Sequence, residues 1–327
     1  MKDSRLLFLI LIVISLLCMV LAMAVGSVTV SAAELWAIWS GNSDDIKATI
    51  VMELRWPRAV AGFVSGGLLA LAGALMQVLL RNPLADPYVL GISGGAAVAV
   101  LAGMLLGISG VWLSGSALLG AFVSMLLVFG IAHGHGGWTS TRLLLTGVVI
   151  AAGWSAVISF ILSISPDQTL RGMLFWMMGD LSYSELPVAG CVVLLLGLLL
   201  ALALARPLNL FVRGELQAAA LGVAVMPLRI GLYFLASLLT ATAVMIAGGV
   251  GFVGLIVPHM LRLLGARDHR VLLPATVLCG GSLLVLADTL ARTLLAPQQL
   301  PVGVLTAMLG VPLFLFLLYR GRSRVML

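Results

Sequence analysis

Charge is the scarcest property of this 327-residue chain: 9% of its residues are Asp, Glu, Lys or Arg, against about 25% in an ordinary soluble domain. With 62% of residues hydrophobic, that scarcity excludes a soluble fold and points to apolar runs dissolved in lipid. Lysine is nearly missing. Lys2 and Lys47 are the only two, and neither follows the glycine-rich pattern of a phosphate-cradling P-loop, so any ATP-driven activity needs a second protein. Cysteine is almost as rare: Cys18, Cys191 and Cys279 sit far apart in separate apolar runs, which reads as structural burial rather than a disulfide or metal site.

Acids are missing from the interiors of the apolar runs. Asp288 is the only acid within an assigned span, near its end, and Arg292 follows one helical turn later, so an i,i+4 ion pair accounts for it. No paired carboxylate, histidine cluster or activated nucleophile lies at depth, so no catalytic residue is assigned and the chain does not read as an enzyme. His133 and His135 are two apart with no carboxylate or cysteine nearby, a poor metal site, and no metal or cofactor is assigned to this chain.

What is present is a series of apolar runs near residues 6–30, 58–80, 88–107, 112–132, 143–165, 187–205, 228–247, 250–264, 271–291 and 302–319. Runs of this kind match a hydrocarbon core roughly 30 Å thick when helical. The fold class is therefore all-α: one polytopic membrane domain over 1–327, with about ten transmembrane helices. The first run exceeds the usual apolar core of a signal peptide and reads as an uncleaved helix. The eighth, rich in Gly and Pro, reads as a partial or broken helix.

Orientation follows from the basic residues. With both termini inside, thirteen face the cytoplasm: Lys2, Arg5, Arg81, Arg142, Arg206, Arg213, Arg229, Arg262, Arg267, Arg270, Arg320, Arg322 and Arg324. Five face outward, namely Lys47, Arg55, Arg58, Arg171 and Arg292, and dropping the eighth span would put the basic C-terminus on the wrong side. The bias implies contact with anionic lipid, not nucleic acid.

Small residues recur in the second span at Gly62, Ser65, Gly66, Gly67, Ala70, Gly73 and Ala74. They permit either close helix packing or a lumen lined by small side chains. Pro83 and Pro87 hold Asn82 and Asp86 out of helical geometry, so the loop between the second and third spans is rigid, a corner or a gate. Thr139, Ser140 and Thr141 can cap the helix that follows them. Glycines at 248, 249, 251 and 254 spoil a continuous helix, tolerable in lipid only where protein or a water-filled cavity covers the backbone, and His259 beyond them reads as a packed, hydrogen-bonded structural histidine in preference to a proton relay.

The interval Arg206 to Arg229 is too apolar for a solvated loop and too interrupted to span a membrane. It reads as two short surface helices: Pro207 favours a first turn, Gly214 and Glu215 open a second helix, and Gly222 stops it. Such helices suit docking into a groove of another protein, or a connector lying on the bilayer.

Read together, LRWPR at 54–58, RNPLADPYVLGISGGA at 81–96, TSTRLLLTG at 139–147, FWMMG at 175–179, GELQAAALG at 214–222, GGVGFVGLIVPHMLRLL at 248–264, DHRVLLP at 268–274 and LPVGVLTAMLGVP at 300–312 resemble the permease subunits of ABC importers for ferric siderophores, haem and cobalamin. The wording of FWMMG and DHRVLLP looks especially like the cobalamin permeases. The resemblance implies a permease of the bacterial inner membrane that pairs with a second copy. It also implies two cytoplasmic ATPase subunits that use ATP and Mg, a periplasmic binding protein, and a metal chelate as substrate.

It further implies that residues 207–222 form coupling helices, with Gly214, Glu215, Leu216, Gln217, Ala218, Ala219, Leu221 and Gly222 at the ATPase contact. By the same resemblance the cytoplasmic gate falls on Asn82, Leu84, Thr139, Ser140 and Thr141, and docking of the binding protein on Arg55, Arg58 and Arg292. Asp180, after FWMMG, and the segment from Glu34 to Glu53 depart from the family pattern. A haem importer is the alternative within the class. A secondary transporter driven by an ion gradient is the alternative outside it, and that reading needs ionisable groups or a broken-helix ion site at the midplane, where only 248–259 offers anything similar.

Overall fold

The computed structural model describes residues 2–42, 46–133, 139–182 and 185–322, and helix is the only regular structure among them. The chain opens with α1 (Lys2–Ala24) and α2 (Ala32–Trp39). A short α3 (Ile46–Thr49) then runs through π-helical turns at Ile50–Arg55 into α4 (Trp56–Leu79). A 3-10 turn at Pro87–Leu90 leads to α5 (Ile92–Leu105), α6 (Val111–Ala132), α7 (Ser140–Ile164), α8 (Asp167–Met177) and α9 (Val188–Ala203). The chain continues through α10 (Ala205–Phe211), α11 (Glu215–Ala220), α12 (Val225–Ala247), α13 (Val253–Leu263), α14 (His269–Ala291) and α15 (Val302–Arg322).

Among the described residues, six helical stretches are each long and apolar enough to cross a membrane, and the pair α9–α10, bent by 60°, makes a seventh. The other three expected spans, 88–107, 250–264 and 302–319, correspond to shorter apolar helices in α5, α13 and α15. The eighth span is short for the reason its composition implies. Gly248 and Phe252 both take positive φ, at 67° and 70°, which ends α12 and delays α13 until Val253.

Two stretches of helix go beyond the sequence reading. Helix α8 follows the fifth span, but Asp167 and Arg171 interrupt its 11 residues, so no apolar run announces it. Helix α2 begins with a capping box in which Ser31 and Glu34 bond each other's backbone, and the Glu34–Lys47 ion pair at 2.5 Å ties it to α3.

Helix α4 is the hub. It packs against α14, α12, α13 and α9, and 89% of its apolar window is buried, against 11% for α7. Its glycines decide how close the neighbours come: a Cβ on Gly66 would stand 2.2 Å from the Gly280 oxygen, and one on Gly73 would stand 1.9 Å from the Gly254 oxygen. The small residues of the second span are therefore packing surface rather than the wall of a lumen. Lipid supplies no hydrophobic drive between helices, so such backbone-to-backbone contact is what holds a bundle together.

Candidate functional site

The bundle has two ends. The one carrying α10 and α11 is called proximal, the other distal.

Helix α9 bends into α10 at Leu204, and Pro207 sits in the first turn of α10, where its missing N–H costs nothing. Gly214, at φ 135°, turns the chain into α11, and Gly222, at φ 84°, turns it out again. These are the two short helices expected over 207–222. Within α11, Ala218 is buried against the bundle while Leu216 is 89% exposed, and Leu221 just after it is 65% exposed. Glu215 faces inward to an ion pair with Arg229 of α12 at 2.5 Å. Gln217 and Ala219 complete the outer surface.

Behind α10, Asn209 reaches the start of α14. Its Nδ2 donates to Asp268 at 2.8 Å, while its Oδ1 accepts from the His269 backbone N–H at 3.0 Å and faces His269 Nδ1 at 2.6 Å. Asp268 is the N-cap of α14 and accepts from Arg270 N at 2.9 Å. These partners hold the Asp268 carboxyl below its ordinary value of 3.8, hydrogen bonds from Arg270 and Asn209 being the main cause.

The residues expected at a gate also lie at the proximal end. The Asn82 side chain accepts from Leu84 N at 2.9 Å, and Leu84 is exposed. Thr139 caps α7 through Arg142 N at 3.2 Å, as hydroxyl capping requires, and exposed Thr141 follows. Ser140 donates to Leu79 O at 3.0 Å, joining the first turn of α7 to the last turn of α4. His135, in residues 134–138, and Arg324, in residues 323–327, lie outside the described residues.

The loop after Leu84 runs back into the bundle. Asp86 accepts from Tyr88 N at 2.8 Å, and burial raises its carboxyl to about 6. The Tyr88 hydroxyl in turn accepts from Val250 N at 3.0 Å, inside the break between α12 and α13. Two more backbone contacts reach the break: Asp180 N donates to Ala247 O at 3.0 Å, and Gly249 N is 3.4 Å from Trp176 O at the end of α8. Asp180 thus serves a turn, its side chain accepting from Ser182 N at 2.8 Å. His259, beyond the break, packs edge-on against Phe314.

At the distal end the three singled-out arginines face inward. Arg58 donates to both oxygens of Asp288, through Nε at 2.9 Å and Nη2 at 2.8 Å, and through Nη1 to Gln299 at 2.8 Å. The expected Asp288–Arg292 pair is only a 3.9 Å approach, because the first turn of α4 lies against the last turn of α14 and delivers a planar fork that fits a carboxylate better. Arg292 reaches Ala22 O, while Arg55 donates to Met23 O at 2.7 Å, to Ala24 O at 3.3 Å and to Val28 O.

Arg55 and Arg292 therefore satisfy the orphan carbonyls at the C-terminus of α1, where a cation also favours the helix dipole. Gly26 permits this, since a Cβ there would stand 2.4 Å from the Arg55 guanidinium. Arg55 is 5% exposed. Carbonyls of its own chain take up its guanidinium. Sequence reasoning missed this because the carbonyls lie 27 to 32 residues from Arg55 and 270 from Arg292, with no local signal.

One long side of α7 is left exposed. Ser155, Ser159 and Ser163 line it, and each hydroxyl bonds a carbonyl of its own helix at 2.7–3.0 Å. The donor of each of these hydroxyls is thereby used within the helix.

The FecCD transport family matches residues 10–320. The hemin transport system permease protein of Yersinia pestis is 40% identical over 324 residues, with 94% of this chain and 95% of that protein covered. The vitamin B12 import system permease protein of Escherichia coli is 37% identical over 314 residues, with the same coverage of 94% and 95%. A solved inward-facing ABC transporter of metal-chelate type matches with a TM-score of 0.86 and 32% identity, over 97% of this chain and 99% of that one.

Proposed function

The chain belongs to the FecCD transport family, and from that premise we propose that it passes a metal chelate across the bacterial inner membrane, powered through α10 and α11 by a separate ATPase. It is a multi-pass transport subunit, and ABC importer permeases of this kind work with an ATPase and a substrate-binding protein. The observation that carries the mechanical reading is α11, whose Leu216 and Leu221 project outward while Ala218 anchors it. Exposed apolar side chains on a short braced helix suit a groove on a partner.

In this reading the proximal end and both termini are cytoplasmic, two ATPase copies consume ATP and Mg there, and the chain itself holds no cofactor. Two copies of the permease face each other across α7, whose serines give a bulky chelate a surface to slide along. Asn82, Leu84 and the 139–141 segment close that path at the proximal end. At the distal end Arg58, whose bond to Gln299 lies at the surface, meets the binding protein, and Arg55 and Arg292 brace it. The FecCD family match and the likeness to a solved ABC transporter favour this ATP-driven reading over the gradient-driven one.

Ferric siderophore, cobalamin and haem all fit this class. Proteoliposomes containing the permease, its ATPase and its binding protein, offered haemin and cyanocobalamin in parallel, are expected to accumulate one of them only with ATP. Equal accumulation without nucleotide overturns the proposal.

A further inference from the structure

Two polar clamps fasten the proximal helices to long helices of the bundle, and neither lies on the exposed face of α11. Glu215 holds Arg229 at 2.5 Å, joining α11 to α12. Asn209 engages Asp268 and His269 together, joining α10 to α14. We propose that Asn209 is a positioning residue that makes α10 and the start of α14 one body, so that a displacement imposed on the docking face is delivered to α14. The inference rests on the coupling role proposed above.

The chemistry of the clamp is directional. Asn209 Nδ2 points at the Asp268 carboxylate, so its Oδ1 is the acceptor for both His269 groups, and the His269 ring carries its proton on Nδ1. One amide therefore bridges a helix cap and the first side chain of the helix it caps. His269 is 3% exposed, so its two contacts with Asn209 are sheltered and stronger than surface bonds, while the Asn209–Asp268 bond lies at the surface. Helix α14 then packs along α4 and carries Asp288 in its last turn, within the arginine cluster. Polar contacts at both ends of α14 let a displacement at its start be passed along its length, Pro274 in its second turn notwithstanding.

The test is a donor–acceptor swap in the reconstituted complex. Asn209→Asp sets two carboxylates against each other. Combining Asn209→Asp with Asp268→Asn restores the pairing, because the amide introduced on α14 can donate to the carboxylate introduced on α10 while its oxygen still caps α14. Asn209→Asp is expected to leave ATPase co-purification intact and to cut the haemin or cyanocobalamin moved per ATP hydrolysed by roughly five- to tenfold, a modest coupling free energy. The double variant is expected to recover most of the ratio. If Asn209→Asp does not accumulate in the membrane, Asn209→Ala, which adds no like-charge contact, is read in its place with the same expectation.

An unchanged ratio in the single variant, or a double variant no better than the single, overturns the inference. A separate arm, Leu216→Arg, tests the coupling role itself. If it leaves ATPase association intact, the docking reading fails; if association is lost while Asn209→Asp couples normally, only the positioning role fails.

Discussion

Arg58 and Asp288, 230 residues apart in sequence, meet through three hydrogen bonds at 2.8–3.1 Å and join the first turn of α4 to the last turn of α14. Both side chains are nearly dry, at 11% and 5% exposure. Removing one partner leaves an uncompensated charge, which costs far more than the intact pair contributes. Asp288→Ala is expected to lower stability in detergent by about 3 kcal/mol, read from thermal unfolding. Arg58→Met with Asp288→Leu is expected to restore much of it. A double variant as unstable as the single would argue that the pair matters for something besides charge balance.

Helix packing predicts a sharp contrast between glycines. A Cβ at Gly73 would overlap the Gly254 oxygen at 1.9 Å, whereas one at Gly115 in α6 would meet nothing within 4 Å. Gly73→Ala is expected to cost roughly 1–3 kcal/mol or more, as overpacking does. Gly115→Ala is expected to be neutral or to gain about 0.5–1 kcal/mol from the unfolded chain. Membrane yield and unfolding midpoints of the two variants measure the difference.

Tyr88→Phe removes the acceptor for the Val250 amide, and Val250 is 1% exposed. A buried donor left without a partner costs about 1–3 kcal/mol. The loss is expected to be local. Hydrogen exchange at residues 248–252 should quicken while α4 and α14 keep their protection, and unchanged exchange would show that another group has replaced the hydroxyl.

Asp86 sets a pH dependence of definite sign. Burial raises its carboxyl from 3.8 to about 6, so the folded chain binds the proton more tightly than the unfolded one. Its contribution to stability is present at low pH and is lost as pH rises from about 4 through 6. Asp86→Asn removes that slope and keeps an acceptor for the Tyr88 amide. Unfolding midpoints across that range, wild type against Asp86→Asn, are expected to converge toward the acid end and to favour the variant above it.

The residues most legible in the sequence were those whose role is local. Pro207, Gly214 and Gly222 announced the two proximal helices because a missing N–H and positive φ act within one turn. The four glycines of 248–254 announced the broken span for the same reason. Thr139 was legible as a cap of α7 because its hydroxyl acts on an amide three residues on. Helix α8 was not announced, because an 11-residue helix carrying Asp167 and Arg171 has neither the length nor the apolar continuity of a span.

The sequence by itself determined an all-helical membrane chain, the place of its short proximal helices, and the family whose motifs it carries, since composition, backbone punctuation and motif order are properties of neighbouring residues. Tertiary structure alone decided that Arg58 takes Asp288, that Arg55 and Arg292 close the end of α1, and that Asn209 reads the cap of α14. Each of these joins groups far apart in the chain. The close approach of α4 to α14 across Gly66 and Gly280, the packing of α1 against α14, and the bend between α9 and α10 bring them within reach.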